Sequence, residues 1–356
     1  MPRFASAAHH ERVAARVGSW LGIAFGLCFL TGLLSHLIQH PQPWFAWPSG
    51  PAWLYRVTQG THVLSGIVAI PLLLAKLWSV YPKLFERPAV RSALHGLERL
   101  SILVLIGAAF FELFTGLFNI AQNYLWGFYF PTAHYAVAWI AIGSVLVHVA
   151  VKLPIIKRAY EPAAPNPDRR RFLRTTALTA GVAFVATAGA TIPLLRRVSV
   201  LAHRSTADLP VNRTAAAAGI EVPDGWRLEV VAGDRTSTFT LDELAALPQA
   251  TEELPIACVE GWSASAQWGG VRVAELLRRC GAEPGADVRV TSLEKAGLYS
   301  RSVLPGTHTR DERTLLALRV AGEQLSPDHG YPCRVIAPSR PGVLQTKWVT
   351  RIEVIA

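Results

Sequence analysis

Charged residues make up only 17% of this 356-residue chain, against 51% apolar. That scarcity excludes an ordinary soluble protein of this size and calls for a membrane portion. Cysteine is scarce as well. Cys28, Cys258, Cys280 and Cys333 are too few for a disulfide scaffold, no two have zinc-finger or CxxC spacing, and a Cys280–Cys333 bridge is disfavoured. No internal repeat is visible, and "EPAAPNP" at 161–167 is the one Pro-rich linker. The net charge of +10 does not indicate nucleic acid, because the basic residues cluster beside apolar segments instead of interleaving with aromatics on a patch. That distribution is topological.

What is present divides the chain in two. Crossing the hydrocarbon core takes about 20 apolar residues. Five windows qualify, at 17–38, 57–81, 100–126, 131–151 and 173–195. Basic residues then assign the sides. Arg3, Arg12 and Arg16 precede the first window, Lys83, Arg87, Arg91 and Arg99 lie between the second and third, and seven more lie at the connection of the fourth to the fifth, six of them between the windows and Arg174 just inside the fifth. The two alternate connections contain only Arg56. The positive-inside rule therefore places the N-terminus in the cytoplasm and everything after the fifth window outside, with Arg196 and Arg197 outvoted.

The stretch "PDRRRFLRTTALTAGVAFVATAGATIPLL", with Arg169, Arg170, Phe172, Leu173 and Arg174 ahead of a weakly apolar segment, resembles a twin-arginine export signal. A basic anchor flanking an ordinary span is the other reading. Export of folded cargo would suit a domain loaded with its cofactor in the cytoplasm. The "AGA" at 188–190 could be a cleavage site, but release would separate the domain from its membrane partner, so an uncleaved anchor is favoured. From about residue 196, proline and glycine punctuate short β-branched runs such as "WRLEVVA", "DVRVTSL", "CRVIAP" and "WVTRIEVIA", with helical patterns at "TLDELAAL" and "RVAELLRRC". This predicts an α+β domain.

Histidine inside a span is a functional hypothesis by default, because polar atoms in hydrocarbon are costly. With the sidedness above, His36, His62 and His134 lie toward the outer face, and His95 and His148 toward the cytoplasm. His134 and His148 are 14 residues apart, nearly four helical turns, so they share a face with a rise of about 21 Å. That spacing suits two stacked haems, each held by two imidazoles from facing helices: His62 with His134 outside, His95 with His148 inside, and His36 as a competing outer ligand. Helix capping or binding of a quinone headgroup are the alternatives. Glu112, mid-span, is either a proton-relaying carboxylate or bonded to a neighbouring helix. Lys76 can snorkel to the cytoplasmic interface. Residues 15–155 resemble the four-helix cytochrome b-type modules that pass electrons between quinones and partner enzymes, on helix count and on "THVLSGIVAI" and "HYAVAWIAIGSVLVHVAVK".

A lone Cys258 outside the membrane can be a buried small hydrophobe, a nucleophile or a metal ligand. Its surroundings narrow the choice. "CVEGWS", "WGGVRVAELL" and "LSPDHGYPCRVIAPSRPGVLQTKWVTRIEV" together resemble the molybdopterin-binding domain of the sulfite oxidase family over about residues 208–356. The resemblance implies that Cys258 coordinates molybdenum as a thiolate, a soft donor for a site already held by sulfur. It also implies that Asn212, Arg213, His329, Arg334, Lys347 and Trp348 surround the pterin and its phosphate. "CVEGWS" is similar to the exported methionine sulfoxide reductase branch, while "DHGYP" and "TKW" are more similar to sulfite oxidases. Residues 259–268 contain no Lys or Arg, which puts the oxyanion sulfite in doubt as substrate.

The expected fold class is multi-domain: an all-α transmembrane bundle at 1–160, a twin-arginine-like linker with a fifth anchoring helix at 161–198, and an exported α+β molybdopterin domain at 199–356. The expected activity is membrane-bound, molybdopterin-dependent oxygen-atom transfer on a sulfoxide or similar small molecule. Haem b and the quinone pool of the plasma (inner) membrane would supply electrons. Sulfite-type oxidation with inward electron flow, or a cofactor-free binding domain, are the alternatives.

Overall fold

The computed structural model describes residues 6–202, 209–295 and 297–355. They fall into two compact units, one of Met1–Leu34 with Gly60–His203 and the other of Ser35–Gln59 with Arg204–Ala356.

The first unit is helical, built on α1 (Glu11–Gln39), α2 (Leu54–Leu84), α3 (Ala93–Ile120), α4 (Phe130–Tyr160) and α5 (Pro167–Ala188). The first four helices are long and apolar enough to cross a membrane. Each outruns its charge-poor window at one or both ends, because polar and aromatic flanks continue the helix past the apolar stretch. The third stops early: its window runs to 126, but α3 ends at Ile120. There Gln122 takes φ +52 and the Asn123 N–H donates to the Phe118 carbonyl, the six-to-one bond that closes a helix through a left-handed residue.

The fifth expected span differs in kind. α5 starts at Pro167 behind Asn166, whose side chain accepts from the Arg169 N–H, but it is not among the helices meeting the length and hydropathy needed for crossing. Arg169, Arg170, Arg171 and Arg174 occupy its first two turns, and the helix ends at Ala188, so its charge-free part is too short for a hydrocarbon core of about 30 Å. It nevertheless packs along the bundle. Arg169 reaches His10 at 3.2 Å, beside the start of α1. Ala180 packs in a buried cluster with Ala24, Ala69 and Leu72. Beyond its end, Thr191 lies so close to Gly60, near the start of α2, that a Cβ there would meet the threonine methyl at 2.2 Å.

The second unit is α+β, as expected. One sheet runs in the order β2 (Arg235–Phe239), β1 (Leu228–Ala232), β10 (Val349–Val354), β5 (Val288–Ser292), β6 (Arg301–Leu304), with β1 and β10 parallel. The other runs β3 (Gln249–Ala257), β4 (Ser263–Arg272), β7 (Leu315–Val320), β8 (Glu323–Gln324), with β9 (Arg334–Ile336) also paired to β7. Short helices α6 (Leu241–Ala246), closed by a Thr240/Glu243 capping box, α7 (Val273–Arg279) and α8 (Gly306–Thr309) connect them. Gly270 permits the β4–β7 approach at a bulge, since a Cβ there would lie 2.1 Å from the Leu316 carbonyl oxygen.

Two apolar cores result. Leu228, Val230, Leu276, Leu277, Val288, Val349 and Ile352 fill one, together with Cys280 and Cys333. The thiols of these two cysteines donate to the carbonyls of Val230 and Val349, and among the described residues no cysteine is in a disulfide. The second core holds Leu254, Ile256, Cys258, Trp262, Trp268, Leu315 and Ile336. The functional residues gather at this second core.

Candidate active site

β3 delivers Cys258 one residue beyond its last paired position. The chain then turns tightly: the Cys258 N–H donates to the Trp262 carbonyl at 2.9 Å, the Gly261 N–H donates to the Cys258 carbonyl at 3.0 Å, and Gly261 sits at φ +91. The indole N–H of Trp262 is held by the Glu260 carboxylate at 2.9 Å. Only 1% of Cys258 is exposed, yet it lines a pocket shared with Asn212, Trp262, Asp328, His329, Arg334, Gly342 and Lys347.

The wall facing the cysteine is cationic. Arg334 opens β9 and is buried over the Trp268 ring at 5.1 Å. Its guanidinium donates to the carbonyls of His329 and Gln345, while Nε has no partner among the described residues. Burial lowers it to about 9, so it stays charged at neutral pH. Lys347 donates to the Arg213 and Asp328 carbonyls at 2.5 and 3.1 Å, and burial, then the neighbouring Arg334, push its ammonium down to about 7. His329 is oriented at both ring nitrogens, Nε2 donating to the Leu209 carbonyl at 3.0 Å and Nδ1 meeting the Ser326 hydroxyl at 2.8 Å. Among the described residues neither cation is in an ion pair, although the Asp328 and Glu294 carboxylates act on Lys347 from nearby, and a buried guanidinium such as Arg334 without a bonded counter-ion is costly. The pocket therefore suits an anion.

Gly330 makes the cradle possible. It adopts φ +110, and a Cβ there would lie 3.1 Å from the side chains of both Arg334 and Lys347. Trp348, next to Lys347, is held at φ +53, a region a bulky residue rarely adopts. Its indole donates to the Pro327 carbonyl at 2.7 Å.

Five sequence candidates thus line one pocket: Asn212, Cys258, His329, Arg334 and Lys347. Two do not. Arg213 spends its guanidinium on Glu294 and the Ala217 carbonyl, contributing its main-chain oxygen to Lys347, and Trp348 is buried beneath the pocket as scaffold. Sequence reading missed Trp262, Asp328 and Gly342. Asp328 accepts from the Ala215 N–H at 2.8 Å, and Gly342 faces the Cys258 Cα at 3.6 Å from where its Cβ would be. The "DH" pairing with His329 and the glycine of "RPG" were the available signals.

The membrane histidines are placed unequally. His62 and His134 face each other with ring centroids 6.3 Å apart. The His62 Nδ1–H donates to the Cys28 carbonyl at 2.8 Å. Thr115 gives its proton to the Phe111 carbonyl and meets His134 Nδ1 at 3.0 Å, so it accepts from that nitrogen. His134 Nε2 lies 3.1 Å from Glu112 Oε2, so that nitrogen is engaged by the carboxyl group. His95 sits in the first turn of α3 with Nδ1 accepting from the Arg91 N–H, and no ring contact with His148 is found among the described residues. His36 stacks on His40 at 4.2 Å. Lys76 donates to the Ala14 carbonyl at 2.9 Å. Among the described residues no three His, Cys, Asp or Glu side chains cluster as a protein-only metal cage.

Comparison with known proteins bears on the second unit. Residues 215–356 match the family model described as oxidoreductase molybdopterin binding domain. Mitochondrial sulfite oxidase of Drosophila melanogaster is 34% identical over 162 residues, 37% of this chain and 27% of that protein. A putative protein-methionine-sulfoxide reductase subunit, YedZ1, of Azospira oryzae is 34% identical over 131 residues, 36% of this chain and 48% of that protein. An uncharacterized oxidoreductase, YuiH, of Bacillus subtilis is 28% identical over 150 residues, 42% of this chain and 74% of that protein. The chain spans less than half the length of the first two. The strand-end cysteine, the cationic pocket and these matches agree: residues 215–356 form a molybdopterin-binding oxidoreductase domain of the sulfite oxidase type.

Proposed function

We propose that this protein is a membrane-bound, molybdopterin-dependent oxidoreductase that exchanges electrons between a quinone pool, haem b and a molybdenum site at Cys258, acting on a sulfoxide or similar neutral oxygen donor. The observation that carries the reading is a buried cysteine at a strand exit, sharing its pocket with a buried guanidinium whose Nε has no partner among the described residues. When bound, molybdopterin supplies a redox metal able to exchange an oxygen atom with substrate. The chain's own residues hold and orient it. Cys258 offers a thiol that metal coordination would deprotonate. Arg334, Lys347 and His329 offer the donors a buried phosphate needs, with Asn212 at the same pocket and Arg213 and Trp348 supporting it.

The substrate class follows from charge. Between Cys258 and Trp268 the only ionisable side chain is Glu260, and a carboxylate there disfavours an anion such as sulfite. Reduction of a sulfoxide consumes two electrons and two protons and gives a thioether and water, which suits feeding from quinol. Haem is supported at His62 and His134. Their ring centroids lie 6.3 Å apart and the Nδ1–H of His62 is fixed by the Cys28 carbonyl, so the two imidazoles would hold the iron, with the Glu112 carboxyl yielding His134 Nε2 to it. The inner pair, His95 with His148, and the outer alternative His36 lack comparable support.

We further read α5 as the crossing that carries the second domain, about 199–356, outside the plasma membrane, with 1–160 as the helical module and 161–198 as the twin-arginine-like linker. In support, the segment packs along the bundle from His10, beside the start of α1, to Gly60, near the start of α2, so the basic first turns of α5 and the residues beyond Ala188 would complete the crossing that its charge-free part alone does not span. Metal and haem quantitation on detergent-purified protein tests the proposal: about one molybdenum per chain is expected. Methionine sulfoxide should reoxidise the reduced haem. Reduction of oxidised haem by sulfite would instead favour inward electron flow, and protein without molybdenum after growth in its excess would overturn the reading.

A further inference from the structure

The segment joining α1 to α2 belongs to the second unit, and its buried polar groups form a continuous chain ending beside Cys258. The Val259 carbonyl accepts from the Gln59 side-chain amide at 3.1 Å. Gln59 Oε1 accepts from the Tyr55 hydroxyl at 3.3 Å, and that hydroxyl lies 2.9 Å from Ser35 Oγ. Gln39 Nε2 donates to Ser35 Oγ at 3.0 Å, and Gln39 Oε1 accepts from the Tyr299 hydroxyl at 3.1 Å. Ser35, Tyr55 and Gln59 are all buried.

Donor and acceptor chemistry fixes every direction. A carbonyl only accepts, so the Gln59 NH₂ must face Val259, which leaves Oε1 for the Tyr55 proton; a flipped amide would set its oxygen against the Val259 carbonyl. Ser35 then donates to Tyr55 and accepts from Gln39. A fully satisfied buried network of this kind is rigid and specifies one arrangement. The same segment is pinned a second time. The Trp47 indole donates to the Ser339 carbonyl at 2.7 Å, and the Ser339 N–H donates to the Ala52 carbonyl at 3.0 Å. Ser339 leads into Gly342, which lies against Cys258, so residues 47–59 grip the loops on both sides of the cysteine.

We propose that Gln59 is a positioning residue that clamps the Cys258 loop to the first turns of α2 and thereby couples redox events at that loop to His62. Gln59 and His62 are three residues apart on α2, about 4.5 Å along its axis. The coupling rests on the reading of molybdenum at Cys258 and haem at His62. With both groups bound, an electron lost at one would be gained at the other, and quinol or quinone would be the membrane-side partner.

The test uses the full chain in detergent with Gln59→Met, which keeps the length and removes the amide, and Tyr55→Phe, which removes only the hydroxyl. Amide hydrogen exchange at Cys258 and Gly261 is expected to rise about tenfold or more in Gln59→Met and less in Tyr55→Phe, with β5 unchanged. In protein with both cofactors retained, the substrate-driven haem absorbance change is expected to slow about tenfold or more, the range for losing a group that orients a metal ligand. Unchanged exchange in both variants overturns the clamp. Raised exchange with an unchanged haem rate overturns the coupling. Wild-type protein lacking molybdenum or haem would sink the functional reading and the coupling with it, while the exchange measurement would still decide the clamp.

Discussion

The backbone N–H of Cys258 and the carbonyl of Trp262 are joined at 2.9 Å across a five-residue turn. The main chain, not the sulfur, therefore fixes where this side chain points. Cys258→Ser keeps that turn and is expected to fold, to lose molybdenum and turnover to background, and to retain any haem spectrum. Elemental analysis beside absorbance spectroscopy checks it; full turnover in the serine variant would remove the cysteine from the site.

Lys347 gives the pocket a pH signature. Its ammonium is pushed down to about 7 by burial first and Arg334 second, against about 10.4 in an unfolded chain. Between these values the unfolded state holds a proton that the folded state has released, so this group makes stability rise with pH across that window, and its cost is fully present below pH 7. In cofactor-free protein, the pH dependence of the unfolding midpoint between 7 and 10 should be flatter in Lys347→Met than in wild type. Pyrophosphate should stabilise wild type more at pH 6 than at pH 8.5, and equal stabilisation at both would count against a phosphate role.

Gly330→Ala tests the cradle. The position needs φ +110, and the new Cβ would press on Arg334 and Lys347 at 3.1 Å. A cost of about 1–3 kcal/mol is expected from the backbone conformation, read as a lower midpoint in denaturant, together with weakened molybdenum retention. A neutral outcome would mean the loop can relax.

His62→Ala and His134→Ala should each abolish the haem absorbance bands while leaving molybdenum content near wild type. Loss of the bands in neither variant would move the haem elsewhere or remove it.

The α5 crossing is checked by single cysteines at His10 and Asp224, both exposed, in a background where labelling of native cysteines is controlled. In intact spheroplasts a membrane-impermeant maleimide should label position 224 and not position 10. Equal accessibility of both from one side would reject the crossing.

The four long helices were legible because a charge-poor window is a direct physical requirement of hydrocarbon. α5 was less legible, since the apolar stretch runs beyond its helix to Leu195 as a 3₁₀ turn at Pro193. In the pocket, motif order identified Cys258, Arg334 and Lys347. It could not tell which of two neighbours turns inward: Arg213 and Trp348 adjoin lining residues but point their side chains elsewhere. Gln59 was illegible for a different reason. Its partner is 200 residues away, and nothing in "RVTQGTHV" distinguishes a clamp from a polar helix end. The 14-residue spacing of His134 and His148 gave a shared face on α4, but what each ring meets depends on the neighbouring helices.

β1 and β10 lie side by side in the middle of their sheet although more than a hundred residues separate them, and Lys347 and Trp348 immediately precede β10. During synthesis the sheet has a gap at its centre, and the pocket one wall missing, until residue 354 clears the ribosome. Pairing so distant in sequence is slow to form. Assembly around a cofactor must therefore follow translation of the whole domain, and a translocation route demanding threaded, unfolded chain would have to act before the binding pocket existed.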